Sequence, residues 1–232
     1  MPLENRVSPF GELFATPARG LLMGNRGGRI HTDDKTLTRR RWASRQWICC
    51  VLAFKNRQRD VWGRYYTELF FLDEVTALAA GHRPCFECRR RDAERFANLF
   101  PGAETISVHS CASGNPALGP RFRGDERSDD KLRRATADQM DEVLQRERLN
   151  GRAKRTHRAP VDTLPDGAAV VLDGEAFALR GDRMLHWTPQ GYDVARPRPR
   201  RTDVELLTPP SIVAVLARGY APQWHPSAGT LT

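Results

Sequence analysis

Two cysteines separated by two residues, Cys85 and Cys88, lie in the run Gly81-His82-Arg83-Pro84-Cys85-Phe86-Glu87-Cys88-Arg89, and a thiol pair at that spacing narrows the local fold more than any other feature of the chain. In a tight turn both thiolates reach one zinc ion at about 2.3 Å. Pro84 fixes the entry into the turn by locking its own φ. A thioredoxin-type redox pair has the same spacing but sits at a helix N-terminus after a buried parallel strand. Here a helical pattern and Gly81 precede the cysteines, so the knuckle is read as half of a structural zinc site. Five cysteines in 232 residues are an odd number at low density, which speaks against a secreted disulfide framework and for a reducing compartment.

The flanks of the knuckle carry their own signals. Phe70-Phe71-Leu72 reads as a strand, Asp73 as an N-cap, residues 74–80 as a short helix and Gly81 as its stop. On the other side, Ala93, Phe96, Ala97 and Phe100 recur at helical spacing and predict an amphipathic helix over residues 91–100. Upstream, residues 47–54 are rich in β-formers, and residues 61–66 follow after a polar stretch, so the two read as a β-hairpin.

Residues 1–45 scatter Pro, Gly and isolated apolar side chains without a period and read as a basic, loop-rich arm. Within it, residues 24–29 read as a flexible basic turn, since the Lys-Ser/Thr ending of a P-loop is missing. Gly and Pro mark residues 111–135 as a linker. Thr136-Ala137-Asp138-Gln139 then has capping-box spacing and opens a helix to about Leu149. Residues 154–158 read as a basic tail. Short segments at 168–172, 176–179, 184–187 and 204–207, with Asp-Gly and Gly-Asp turns, read as an antiparallel sheet. Between them, residues 187–192 read as an aromatic turn and residues 196–201 as a stiff basic connector, and Pro209-Pro210 opens a last helix over 211–218. The expected fold class is therefore α+β: a zinc-stapled β-hairpin and helix module over residues 46–110, and a C-terminal region over residues 136–232 of a small antiparallel sheet with helices.

The formal net charge of +9 is unevenly placed: residues 1–64 hold 13 Lys and Arg against 5 Asp and Glu. Clustered cations suit a polyanion, because neutralising phosphates releases condensed counterions; a solubilising face is the plainer reading. Arg39, Arg40 and Arg41, and then Arg57 and Arg59, are interleaved with Trp42, Trp47, Trp62, Tyr65 and Tyr66, offering phosphate ligands beside stacking faces. Arg89, Arg90 and Arg91 follow the knuckle. The longest apolar run, residues 48–54, is far too short to cross a bilayer, and no apolar h-region opens the chain, so a cytoplasmic protein without a membrane partner is expected.

The run from Phe70 to Arg89 resembles the second half of the Ada-type zinc-binding domain: strand, short Ala-rich helix, Gly-x-Arg-Pro-Cys and second cysteine match position by position over about 20 of the 232 residues. The resemblance implies a small α+β module around a four-cysteine zinc site, with Cys85 and Cys88 as the second ligand pair, and a setting in DNA repair or processing. The family's first pair is two cysteines three residues apart, or a His and a Cys, whereas here the upstream cysteines, Cys49 and Cys50, are adjacent. Neighbouring strand residues face opposite sides, so one of the two is expected to reach the metal. A fourth ligand is then sought among His31, His82, His109 and Cys111. Methyl acceptance in that family belongs to a first-pair cysteine, so the departure implies a module for folding and docking.

Elsewhere, no Gly-x-Ser-x-Gly, His-Glu-x-x-His, Walker or Rossmann fingerprint is present. His157 and His186, with Asp162, Asp173 or Asp182, are the candidates for general-base or metal chemistry on a phosphodiester, and His109-Ser110-Cys111 is read as accidental. The expected function is zinc-dependent binding of nucleic acid, DNA foremost, with Arg39, Arg40, Arg41, Arg57, Arg59, Arg89, Arg90 and Arg91 on phosphates and zinc held by Cys85, Cys88 and one of Cys49 and Cys50. A metal- or histidine-dependent enzyme acting on nucleic acid and a protein-interaction adaptor with a purely structural zinc are the alternatives.

Overall fold

The computed structural model describes residues 2–57, 60–102 and 134–231. Its centre is a six-residue helix, α1 (Glu74–Ala79), whose residues are all buried. Asp73 caps it: the carboxylate accepts the Thr76 backbone N–H at 2.9 Å, satisfying one of the orphan donors of a first turn. Gly81 stops it at φ 89°, the left-handed region where a Cβ is disfavoured.

A mixed six-stranded sheet packs on one side of α1. Its strands are β1 (Arg6–Val7), β2 (Leu13–Phe14), β3 (Leu22–Arg26), β4 (Trp47–Val51), β5 (Leu69–Phe71) and β6 (Arg83–Pro84), in the order β2-β1-β5-β3-β4-β6. Val7, Leu22, Cys49, Leu69 and Phe71 from this sheet meet Ala77 and Ala80. α2 (Arg90–Leu99), α3 (Ala137–Arg148) and the short strands β7 (Leu149–Asn150) and β8 (Ala153–Lys154) follow. β9 (His157–Pro160), β10 (Ala169–Leu172), β11 (Glu175–Arg180), β12 (Arg183–Thr188), β13 (Gly191–Pro197) and β14 (Asp203–Leu206) build a second six-stranded sheet, antiparallel throughout, in the order β13-β12-β11-β10-β14-β9. It covers the other side of α1 through Ala178, Leu185 and Tyr192 against Val75, and through Ala169 and Leu207 against Ala79. α4 (Pro210–Ala217) closes the fold, joining Leu78, Phe96, Met140 and Leu144 in one apolar cluster.

The α+β class holds, and so do the helix after Asp73, the helix after the knuckle and the reciprocal capping box of Thr136 and Gln139. Three expectations change. Residues 6–26, read as an arm without regular structure, supply three strands, and β3 sits inside the sheet with β5 and β4 on its two sides. The stretch over residues 24–29 begins as part of this strand, where a Cβ on Gly24 would lie 2.0 Å from the Ile48 carbonyl oxygen and 2.9 Å from the Phe71 ring. The glycine is there for close approach, not for a turn. Finally, β4 pairs with β3 and β6 instead of residues 61–66; that stretch is irregular, with Trp62 at φ 58° and its indole buried, donating to the Glu68 carbonyl. The expected linker lies outside the described residues up to residue 133, and the elements on either side of it share core.

Candidate metal centre and cationic clefts

β6 explains how the cysteines meet. Its two residues run parallel to β4 with Cys49 opposite Pro84, and the Cys85 N–H donates to the Cys49 carbonyl at 3.0 Å. The next residue on each strand is then a cysteine, Cys50 on β4 and Cys85 after β6. The knuckle turns back at once, with Arg89 N–H on the Cys85 carbonyl and Glu87 N–H 3.4 Å from Cys85 Sγ. Cys88 is thereby delivered to the same point, and the Sγ atoms of Cys50, Cys85 and Cys88 all lie within 4.8 Å of one another, placed to hold a metal ion.

The three thiols are mutually dependent even without a metal. Hydrogen bonds from Cys50 and then Cys88 draw the Cys85 thiol strongly down, while the same contacts with Cys85 and Cys88, and burial, push Cys50 up. Thiols this close lose their protons together when a cation binds. Cys49 faces the opposite side. It is fully buried in the α1 core, its thiol is raised by burial and then by the Glu74 charge, and its sulfur lies 3.6 Å from Arg89 Nη1. Strand alternation thus selects Cys50 over Cys49 as the metal-facing residue.

The sequence candidates for a fourth ligand are placed elsewhere or lie outside the described residues. His31 stacks on Trp62 and hydrogen-bonds Thr67 Oγ1 and the Gly63 carbonyl. His82 is buried between Trp47 and Phe71. His109 and Cys111 are among the residues not described. A cavity of about 180 Å³ adjoins the thiols, lined also by Asn25, Arg57, Tyr66 and Glu87.

The arginines separate into distinct places. Arg39, Arg40 and Arg41 are exposed and line a groove of about 230 Å³ with Trp42, Ala43 and Arg152. Arg57 ion-pairs with Glu87 at the thiol cavity. Arg90 and Arg91 are exposed on α2, Arg90 pairing with Glu94. Arg89 does not belong with them: it is 7% exposed and bound to Glu74 at 2.8 Å and to Asp92, so its charge serves the core. Arg59 lies outside the described residues.

His157 and His186 are not brought together, since β9 and β12 stand four positions apart in their sheet. His186 is held by Glu175 and Asp193, Asp162 accepts the Arg201 N–H, and Asp173 faces Arg196. No helix among the described residues is long and apolar enough to cross a membrane.

A second basic site has no counterpart in the sequence reading. Between β2, β3 and the β7–β8 hairpin lies a cleft of about 660 Å³ whose lining includes Arg26, Arg41, Trp42, Trp47, Arg148, Arg152 and Lys154. Arg26 and Arg148 are both buried against one indole, their guanidinium carbons 4.1 and 4.0 Å from the Trp47 ring centre. No protein-family model matches the chain, and no curated protein or solved structure matches it significantly.

Proposed function

We propose that the chain is a zinc-stabilised nucleic-acid-binding protein that grips phosphates with little base readout. The observation carrying the nucleic-acid part is the groove of Arg39, Arg40, Arg41, Trp42 and Arg152, whose lining holds four guanidinium groups, an indole and no acid. Such a surface gains from counterion release on a phosphate backbone and offers one ring for a base to stack on. Arg90 and Arg91 extend the cationic surface on α2, and the local Ada-type resemblance of residues 70–89 points the same way.

Zinc is the metal of choice for three thiolates at one point, because soft sulfur donors in a tetrahedral array select it over hard cations such as Mg²⁺ and Ca²⁺. Cys50, Cys85 and Cys88 would hold it, tying β4 to the start of α2. With Cys49, His31 and His82 placed elsewhere, His109 and Cys111 are the sequence candidates left for the fourth position.

Elemental analysis of the purified chain and its single Cys→Ser variants tests the metal. One zinc per chain is expected, lost in Cys50→Ser, Cys85→Ser and Cys88→Ser and retained in Cys49→Ser; zinc lost only with Cys49 would overturn the assignment. For nucleic acid, a log–log plot of affinity against salt should slope at about −3 for duplex DNA, and Arg40→Ala should flatten it by about 1. A flat salt response would instead support the adaptor reading.

A further inference from the structure

Arg26, Arg148 and Lys154 form a cationic cluster, the two arginines buried and Lys154 half-buried, in which no ion pair to a carboxylate is found among the described residues. Arg26 donates to the carbonyls of Gly11 and Arg41, Arg148 to those of Gly81 and Arg45 and to the Gln145 side chain, and the Lys154 ammonium to that of Ala79. Arg26 is 2% exposed and Arg148 fully buried, and the Nε of each is buried without a hydrogen-bond partner. The buried carboxylate nearest in sequence to Arg148, that of Asp141, is held by both prongs of Arg83 at 2.8 and 2.7 Å. In the cleft lining the one acid is Glu12, which is exposed, against five cationic side chains.

Burial and mutual repulsion act on these groups as expected of unpaired charges. Desolvation first, and then the charges of Arg26 and Arg148, pull Lys154 down to about 7; desolvation foremost brings both arginines to about 9, at Arg148 against the opposing charge of Asp141. Proteins pair buried charges because an isolated one is costly. Two buried guanidinium groups without an ion pair, each with an unpartnered Nε, beside a half-buried ammonium on the wall of one cleft mark a place where an anion completes the site.

We propose that this cleft binds a phosphomonoester carried on an aromatic ring system, a nucleotide or the phosphorylated end of a nucleic-acid strand, with Arg26, Arg148 and Lys154 toward the phosphate and Trp42 toward the base. The charge balance selects phosphate over a lone carboxylate, since a phosphomonoester is close to dianionic at neutral pH. The cleft is of small-ligand size. Trp47 is buried and holds both guanidinium groups against its ring, whereas Trp42, half-buried and 6.3 Å away between ring centres, lines both this cleft and the Arg39–Arg41 groove. A strand lying in the groove would therefore have its end at the cleft. Only the strand-end source rests on the nucleic-acid reading above; the phosphomonoester site stands without it.

Anisotropy titrations of the full chain with a short single-stranded DNA bearing a 5′-phosphate, and with its 5′-hydroxyl counterpart, test this. AMP, adenosine and inorganic phosphate serve as competitors and as ligands in thermal shift. The phosphorylated strand should bind about tenfold or more tightly than the hydroxyl strand. Lys154→Gln should abolish that difference, and Trp42→Leu should weaken AMP more than phosphate, which keeps a second readout if Lys154→Gln does not fold. AMP displacing the phosphorylated strand at comparable affinity identifies free nucleotide as the source; a strand preference that AMP does not compete identifies the strand end. If no strand binds but AMP, unlike adenosine, raises the melting temperature, the nucleic-acid reading fails and the site survives. Equal binding of both strands, with no effect of AMP or phosphate, overturns the site and leaves that reading intact.

Discussion

Gly24 shows what one missing side chain does for the metal centre. It pairs with Cys49 across β3 and β4 and with Leu69 across β3 and β5, and a methyl group there would meet the Ile48 backbone oxygen and the Phe71 ring, both fixed in the sheet. Gly24→Ala is expected to cost about 3 kcal/mol or more by overpacking and, by displacing β4, to lower zinc occupancy; urea denaturation reading a loss under about 1 kcal/mol would mean the strands move apart freely. Lys154 gives a second residue-level prediction. Its folded value is about 7 against an ordinary 10.5, so between these values the unfolded chain binds the extra proton and stability rises with pH. Below pH about 7 both states are protonated and the full burial penalty stands. In phosphate-free buffer, Lys154→Met should therefore gain melting temperature relative to wild type most at pH 7 and below, the difference shrinking as pH approaches 10.5. A difference that does not vary with pH would show that the ammonium reaches solvent.

Among the elements, β6 does the most with the fewest residues, because its parallel pairing with β4 brings Cys85 beside Cys50. Arg83, one of its two residues, makes the bidentate pair to Asp141 that docks the knuckle on α3, with both side chains under 5% exposed. Arg83→Met leaves that carboxylate buried without its ion pair and is expected to cost about 3 to 5 kcal/mol, whereas Arg83→Met with Asp141→Leu should recover most of it. Denaturation of the single and double variants decides this, and equal losses in both would mean that the pair is not the source. The same element shows why some of the structure was readable and some was not. Asp73 with its helix, Thr136 with Gln139, and the strands from Ala169 to Thr188 rest on neighbours in sequence, so local chemistry announces them. The partners of β4 come from residues 22–26 and 83–84, too short or too polar to show a period, and that hid β3 and led the chain after Lys55 to be read as a hairpin arm. Cys85, Cys88 and the pair Cys49 and Cys50 were nameable because thiols carry their own signal, but which of the pair faces the other thiols was not, since strand alternation separates the two without saying which side is the core. The cationic cleft was not, because Arg26, Trp42, Arg148 and Lys154 come from separate segments and each alone looks like surface charge or core; Lys154 was read as the start of a basic tail.

At the scale of the whole molecule, the two sheets share α1, although the second also has an apolar cluster that α1 does not enter, with Val170, Phe177, Leu179, Met184 and Leu206 among its members. Ala77 and Ala80 lie among the first sheet's residues, Val75 and Ala79 among the second's, and Leu78 joins α2, α3 and α4. Buried polar ties run the same way: Asp73 accepts the Tyr192 hydroxyl at 2.9 Å and the His225 N–H at 3.0 Å, and Glu74 accepts the Tyr220 hydroxyl and the Gln223 N–H. Separating the halves would strand two carboxylates without these donors and expose apolar faces on both sides of one helix, so each half loses stability when the other melts. The chain is therefore expected to unfold in a single transition despite its two sheets. Zinc release, reporting on Cys50, Cys85 and Cys88 beside the first sheet, and fluorescence of a variant keeping Trp187 and Trp224 as its only indoles, reporting on the second, should then give one midpoint in urea. Two midpoints, with zinc retained after the C-terminal indoles are exposed, would mean that α1 stays folded on the first sheet alone and that the shared core is an interface between two domains.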